Sequence, residues 1–211
     1  MEKRNSETLE FYNRFQDKKN AFARVGWGSH ERQLERFATF LRYAELSRDV
    51  ECLDFGCGNS ALVSYLDEVG CCYRGYVGVE LNENLASEAK KNLTSQKQRV
   101  FVGDFFEDSL RVDIQLSANT LRVGALIGTF NFLPRNNLQL IADFYQLCTR
   151  FELTRLIGFF KSIDSPIFYP EFNYFNPIDF FDGHFRKEFN ISLHTGFSDH
   201  EFVIVVRPKV P

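Results

Sequence analysis

Three carboxylates and two glycines are the residues of this sequence whose types and spacing best fit chemistry. Asp54-Phe55-Gly56-Cys57-Gly58-Asn59-Ser60 follows a short apolar run. Glycines at that spacing let the backbone turn tightly and come close to a ligand. A helix start just beyond offers free N–H groups and a positive dipole end. A carboxylate or phosphate suits such a place, and Gly56, Gly58 and Ala61 also fit the loose dinucleotide pattern. Asp54, two residues ahead of the first glycine, can meet an ammonium group. Glu80 closes the next apolar run, 22 residues after Gly58, where a carboxylate can accept both hydroxyls of a ribose. Asp104 closes the third run, where it can accept from an adenine amino group, with Phe105 and Phe106 to flank the ring. For any one of these acids, a helix cap or a solvated strand end is the plainer account. Three in succession beside a glycine turn favour a site.

To position them, strands must end at one edge of a sheet. Val50–Asp54, Tyr76–Glu80, Val100–Gly103, Leu121–Ile127 and Arg155–Phe160 read as strands. Between them, Ala61–Val69, Asn84–Leu93 and Asn136–Arg150 carry apolar residues at helical spacing, and Gly70 stops the first. The stretch from Arg111 to Asn119 is ambiguous. Ahead of the strands, residues 5–20 predict a short helix. After the turn Gly26-Trp27-Gly28, Ser29 caps a second helix with Leu34, Phe37, Leu41 and Ala44 on one face. Near the end, Asn176-Pro177 opens a short helix. Phe189–His194 and Glu201–Val206 then read as strands about six residues apart. That connection is too short for a parallel crossover, so the two must pair antiparallel. Helices alternating with strands predict an α/β fold: a doubly wound, mostly parallel sheet with a C-terminal antiparallel hairpin.

Composition bounds the rest. The 211 residues suit one compact domain, and with 44 % hydrophobic and 25 % charged residues the chain can bury a core. A net charge of −3 argues against broad, non-specific nucleic-acid binding, although not against a local basic patch. No apolar run approaches the roughly 20 residues of a membrane helix, and the first 25 residues hold no secretory apolar segment. Cys52, Cys57, Cys71, Cys72 and Cys148 are odd in number and lack CxxC spacing. They signal neither a disulfide framework nor a zinc site, and reduced thiols in a cytoplasmic protein are expected.

The motifs resemble those of the class I, Rossmann-like S-adenosylmethionine-dependent methyltransferases. LDFGCGNS resembles their first motif, YVGVELN the second and FVGDFF the third. LIGTFNFL resembles the segment after the fourth strand, and the final hairpin resembles their antiparallel seventh strand. The resemblance runs from Val50 to Phe132, and more loosely over Glu201–Pro208. It implies a seven-stranded sheet and S-adenosylmethionine as cofactor, with S-adenosylhomocysteine as product. The implied cofactor residues are Asp54, Gly56, Cys57, Gly58, Glu80, Leu81, Asp104, Phe105 and Gly128. GWGSHERQLERF resembles a segment of a poorly characterised bacterial and phage branch, where it implies a cap over the cofactor. Residues 1–48 would then be an N-terminal helical cap segment and 49–211 the methyltransferase domain, within one compact domain overall.

The family's usual D-x-G-x-G-x-G has Ser60 where the third glycine would stand. No (D/N/S)-P-P-(Y/F/W) tetrapeptide of the amino-methylating enzymes follows the fourth strand. Asn176-Pro177-Ile178 lies after the fifth strand and fits a helix start. There is no Pro-Cys pair of the cytosine C5 type. No catalytic residue or metal set emerges, which suits a reaction that chiefly needs alignment.

Trp27 is a candidate to close over the cofactor and Asn131 to orient an acceptor, each with a packing role as the plain alternative. Cys57 reads as packing. His30, His184, His194 and His200 are scattered, without metal-ligand spacing. Phe168, Tyr169, Phe172, Tyr174 and Phe175 would line an apolar pocket or form a lid on the sheet edge. The acceptor is expected to be a small molecule. The basic stretch Lys3, Arg4, Arg14, Lys18, Lys19 and Arg24 keeps nucleic acid open, although such a run is usually a solvated helix face. Two alternatives stand: a partner-dependent or non-catalytic cofactor-binding domain, and an NAD-dependent oxidoreductase, which would need a parallel sixth strand. Oligomeric state is not legible.

Overall fold

The structure is a computed structural model that describes residues 2–114, 116, 119–132 and 136–209, with side chains for all of these except residues 2–4 and Val112. The chain divides into two compact units, Met1–Thr120 and Leu121–Pro211.

In the first unit, β1 (Val50–Phe55), β2 (Gly75–Glu80) and β3 (Gln98–Val102) are parallel, in register Cys52↔Tyr76, Asp54↔Gly78 and Glu80↔Val102. All twelve residues of β1 and β2 are buried, as expected of parallel strands covered on both faces. The helices are α1 (Glu2–Asn13), α2 (Ala21–Arg24), α3 (His30–Ala44), α4 (Ala61–Glu68), α5 (Glu83–Asn92) and α6 (Asp108–Ile114). α3 starts where the sequence marks it: the Ser29 side chain accepts from the Arg32 N–H at 3.2 Å. α5 is capped by Asn82, whose side-chain oxygen accepts from Asn84 and Leu85 N–H. The first helix runs Glu2–Asn13 rather than 5–20, and a turn ending at Asp17 follows it.

In the second unit, β4 (Leu121–Ile127) and β5 (Arg155–Lys161) are parallel. β7 (Glu201–Pro208) pairs antiparallel with both β5 and β6 (Phe189–His194). α7 (Asn137–Arg150), a 3₁₀ turn (Pro177–Phe181) and α8 (Gly183–Glu188) complete it. Asn176 caps the 3₁₀ turn by accepting from Ile178 N–H, so Asn176-Pro177 is a helix start. Phenylalanines build this core. Phe160 lies 5.2 Å from Phe144, 5.0 Å from Phe175 and 4.6 Å from Phe180, ring centre to ring centre. Such pairs contribute about 0.5–1.5 kcal/mol each beyond their buried area.

The seven strands form one mixed sheet in the order β3-β2-β1-β4-β5-β7-β6, with helices on both faces. The antiparallel β6–β7 hairpin stands where an oxidoreductase of the dinucleotide-binding type would carry a parallel strand. Among the described residues, no helix is long and apolar enough to cross a membrane.

Candidate functional site

The turn after β1 is tied to the end of β2. Backbone N–H groups of Gly56 and Cys57 both donate to the Val79 carbonyl, at 2.8 and 3.0 Å. The Gly58 N–H donates to Glu80 Oε2 at 2.8 Å, and the Asn82 N–H donates to Glu80 Oε1 at 2.8 Å. Glu80 therefore braces the glycine turn with both carboxylate oxygens. Burial pushes its carboxyl up, and the N–H donors oppose that rise. Gly58 has φ +56°, and a Cβ built there would lie 2.7 Å from Val25 Cγ1. Only glycine suits both the conformation and the contact. Ser60 holds φ +62°, a left-handed backbone that a third glycine would adopt without strain.

Asp54 is buried, only 4 % exposed. The Tyr76 hydroxyl donates to its Oδ2 at 2.7 Å, and among the described residues Oδ1 has no hydrogen-bond partner. Burial raises the carboxyl to about 7; the Tyr76 bond lowers it and the charge of Glu80 raises it. Cys57 is buried with its thiol pushed well up, a packed and protonated group.

Asp104, at the end of β3, is buried and its Oδ1 accepts from the Phe106 N–H at 2.9 Å. The capping role that the sequence allowed for this acid is thus present. The Gly103 N–H donates to the Glu80 carbonyl at 2.9 Å, joining this corner to the glycine turn. Phe105 lies edge-on to Phe55 at 5.4 Å and 4.7 Å from Phe106, half-buried, as is Leu81. The first unit therefore gathers Asp54, Gly56, Cys57, Gly58, Glu80, Leu81, Asp104 and Phe105 at the carboxyl ends of three adjacent strands.

Side-chain pairs that the sequence did not reveal hold the N-terminal segment against this turn. Arg24 Nε and Nη2 grip Glu88 at 3.0 and 2.6 Å. Asn59 Nδ2 donates to the Ala21 carbonyl at 3.2 Å, and Asn82 Nδ2 to Asn13 Oδ1 at 3.0 Å. Trp27 is half-buried, with the Arg36 guanidinium 4.5 Å from its ring centre. Asn82 had a visible signal as a helix cap. Arg24 and Glu88 are 64 residues apart and had none. Of the basic stretch, Arg24 is engaged, and the side chains of Lys3 and Arg4 lie outside the described residues.

Gly128 and Asn131 belong to the second unit. Gly128 turns the chain after β4 at φ +83°. The Asn131 amide donates to the Phe159 carbonyl at 3.3 Å and accepts from the Lys161 N–H at 3.1 Å, so it ties the segment after β4 to β5. Leu133, the last residue of LIGTFNFL, lies outside the described residues. In the aromatic cluster Phe175 is buried, while Phe168 is 68 % exposed and stacks on Tyr174 at 4.2 Å.

Neither a protein-family model nor a curated protein matches the sequence. Solved structures do match the fold. An S-adenosylmethionine-dependent methyltransferase from Anabaena variabilis superposes with a TM-score of 0.65 at 11 % identity, over 97 % of this chain and 95 % of that one. The geranyl diphosphate C-methyltransferase of Streptomyces coelicolor A3(2), solved with S-adenosyl-L-homocysteine, gives 0.60 at 10 % identity, over 97 % of each. The small RNA methyltransferase HEN1 gives 0.64 at 14 % identity over 86 % of this chain, which spans only 25 % of that one. With its three buried strand-end acids, its glycine turn and its antiparallel last hairpin, the chain has the Rossmann-like fold of the class I S-adenosylmethionine-dependent methyltransferases.

Proposed function

We propose that this protein transfers a methyl group from S-adenosylmethionine to an acceptor, a small molecule being favoured, and releases S-adenosylhomocysteine. The observation that supports this most is the burial of Asp54 and Glu80 beside a glycine turn, with Asp104 ending the next strand. These residues fit the cofactor. Asp54 keeps one carboxylate oxygen without a hydrogen-bond partner among the described residues, which suits an ammonium group. Each Glu80 oxygen takes one backbone N–H and retains a lone pair for a ribose hydroxyl. Leu81 and Phe105 supply half-buried apolar surface for a purine ring.

When bound, S-adenosylmethionine would supply an electrophilic methyl group on a sulfonium centre. The chain's share is binding, alignment and exclusion of water. Asp54 serves as counter-ion to the amino-acid end. Glu80 holds the sugar, and Asp104 with Phe105 holds the base. Residues 21–27, fastened through Arg24–Glu88 and Asn59–Ala21, serve as the cap.

The small-molecule preference rests on a net charge of −3 and on the engagement of Arg24 within the fold. The fold itself does not choose, since the similar structures include one named for geranyl diphosphate and one for small RNA. A cytoplasmic location accords with the five free thiols.

The test is thermal unfolding with S-adenosylmethionine, S-adenosylhomocysteine and NAD side by side. A ligand at 100 times its dissociation constant adds about 2.7 kcal/mol, a rise of about 5–11 °C for a chain of this size. A rise with the two adenosyl ligands alone is expected. A rise with NAD alone would overturn the reading. Binding without transfer to any acceptor would favour a partner-dependent domain.

A further inference from the structure

We propose that Tyr76 is a positioning residue, whose buried hydroxyl holds one oxygen of Asp54 so that the other presents to the cationic amino-acid end of the cofactor. This rests on the cofactor reading above and assigns a role to Tyr76, the first residue of YVGVELN, which the sequence marks only as part of a strand.

The geometry carries it. Tyr76 and Asp54 sit on neighbouring strands two register positions apart, Cys52↔Tyr76 and Asp54↔Gly78, so their side chains share one face. Tyr76 is fully buried, and its hydroxyl lies 2.7 Å from Asp54 Oδ2. Its ring packs against Gly78. A Cβ on Gly78 would lie 3.2 Å from Tyr76 Cε1 and 2.7 Å from Cys57 Sγ, so ring, thiol and glycine fill the space together. Asp54 Oδ1 is left without a hydrogen-bond partner among the described residues.

The electrostatics agree. The groups facing Asp54 are Cys52 on its own strand, Cys57 from the turn, and Tyr76 and Glu80 from β2, while Ser60 adjoins Cys57 and Tyr76. Burial pushes the thiols of Cys52 and Cys57 and the Tyr76 hydroxyl well up, so all three stay protonated and Tyr76 remains a donor. Glu80 is the other carboxylate and raises Asp54 further. With the Asp54 carboxyl at about 7, a cation that needs its ionised form must displace a proton near neutrality. The Tyr76 bond is the one side-chain interaction that holds the ionised form down in pH.

The experiment is calorimetric titration of S-adenosylhomocysteine from pH 5.5 to 8 into the wild type, Tyr76→Phe and Asp54→Asn, with 5′-methylthioadenosine as a probe that lacks the amino-acid end. Wild-type affinity for S-adenosylhomocysteine should rise about tenfold per pH unit below 7 and then level off. Tyr76→Phe should move that rise to higher pH and weaken binding at pH 7 about tenfold, with 5′-methylthioadenosine unchanged. Asp54→Asn should remove the pH dependence. Should Tyr76→Phe fail to fold, a fluorotyrosine at position 76 keeps the ring and makes the hydroxyl a stronger donor. It should move the rise to lower pH, and an unmoved rise would overturn the proposal. A Tyr76→Phe profile that superposes on wild type overturns the proposal, as does an equal loss for both ligands. A wild type that binds neither adenosyl compound overturns the cofactor reading instead.

Discussion

The backbone N–H of Gly58 donates to the Glu80 carboxylate at 2.8 Å, joining the turn after β1 to the last residue of β2 across 22 positions of sequence. The acid expected to hold a ribose is therefore also the clamp on the glycine turn. In Glu80→Gln, one of the two backbone donors, Gly58 or Asn82, would face an amide NH₂ in a buried place. A loss of about 1–3 kcal/mol in unfolding free energy is expected, read from urea titration without ligand. Unchanged stability would mean that the carboxylate serves ligand alone.

Gly58 and Ser60 share a left-handed backbone, and their substitutions should act in opposite directions. Gly58→Ala adds backbone strain and a contact at 2.7 Å with Val25. It should cost about 1–3 kcal/mol, and Val25→Ala in the same chain should restore the steric part only. Ser60→Gly relieves strain and should be neutral or stabilise by up to about 1 kcal/mol. Purely additive effects of the Gly58 and Val25 changes in a double-mutant cycle would contradict the contact.

The Asp54 carboxyl stands at about 7 in the folded chain and returns to the ordinary range near 4 on unfolding. The folded state then binds the proton more tightly. The stability this contributes is full below about pH 4 and is lost as pH rises through 7. The ligand-free wild type should therefore lose about 2–3 kcal/mol between pH 5 and pH 8 relative to Asp54→Asn. Parallel pH profiles of the two proteins would show that the carboxyl titrates normally.

Arg24 meets Glu88 with two nitrogens and also reaches the carbonyls of Lys18 and Lys19. A lysine cannot make that fork. Arg24→Lys should speed hydrogen exchange in residues 18–27 several-fold while lowering global stability by no more than about 1 kcal/mol, because the pair is part-exposed. Exchange unchanged in that segment would remove the clasp from the account.

Much of the first unit could be read from the sequence because its signals are local. An apolar run, an acid and a glycine turn specify β1 and its end, and Ser29 caps α3; in the second unit Asn176 caps the 3₁₀ turn it was expected to open. The hairpin followed from the length of its connection alone. What escaped lacks local signals. α6 and α8 span seven and six residues without a clear apolar face. Tyr76 reads as an ordinary strand aromatic, since its partner Asp54 is set by sheet register. Asn131, a candidate to orient an acceptor with packing as the alternative, has both its amide groups on the β5 backbone, a pairing visible only once β4 and β5 are side by side.

The central claim is that the glycine turn and Glu80 bind the adenosyl cofactor. Its most direct test is calorimetry of S-adenosylhomocysteine with wild type, Glu80→Ala and Gly58→Val. The account predicts one site per wild-type chain and at least about a hundredfold weaker binding in both variants, a difference of about 2.7 kcal/mol. Wild-type affinity retained in folded Glu80→Ala and Gly58→Val would contradict it.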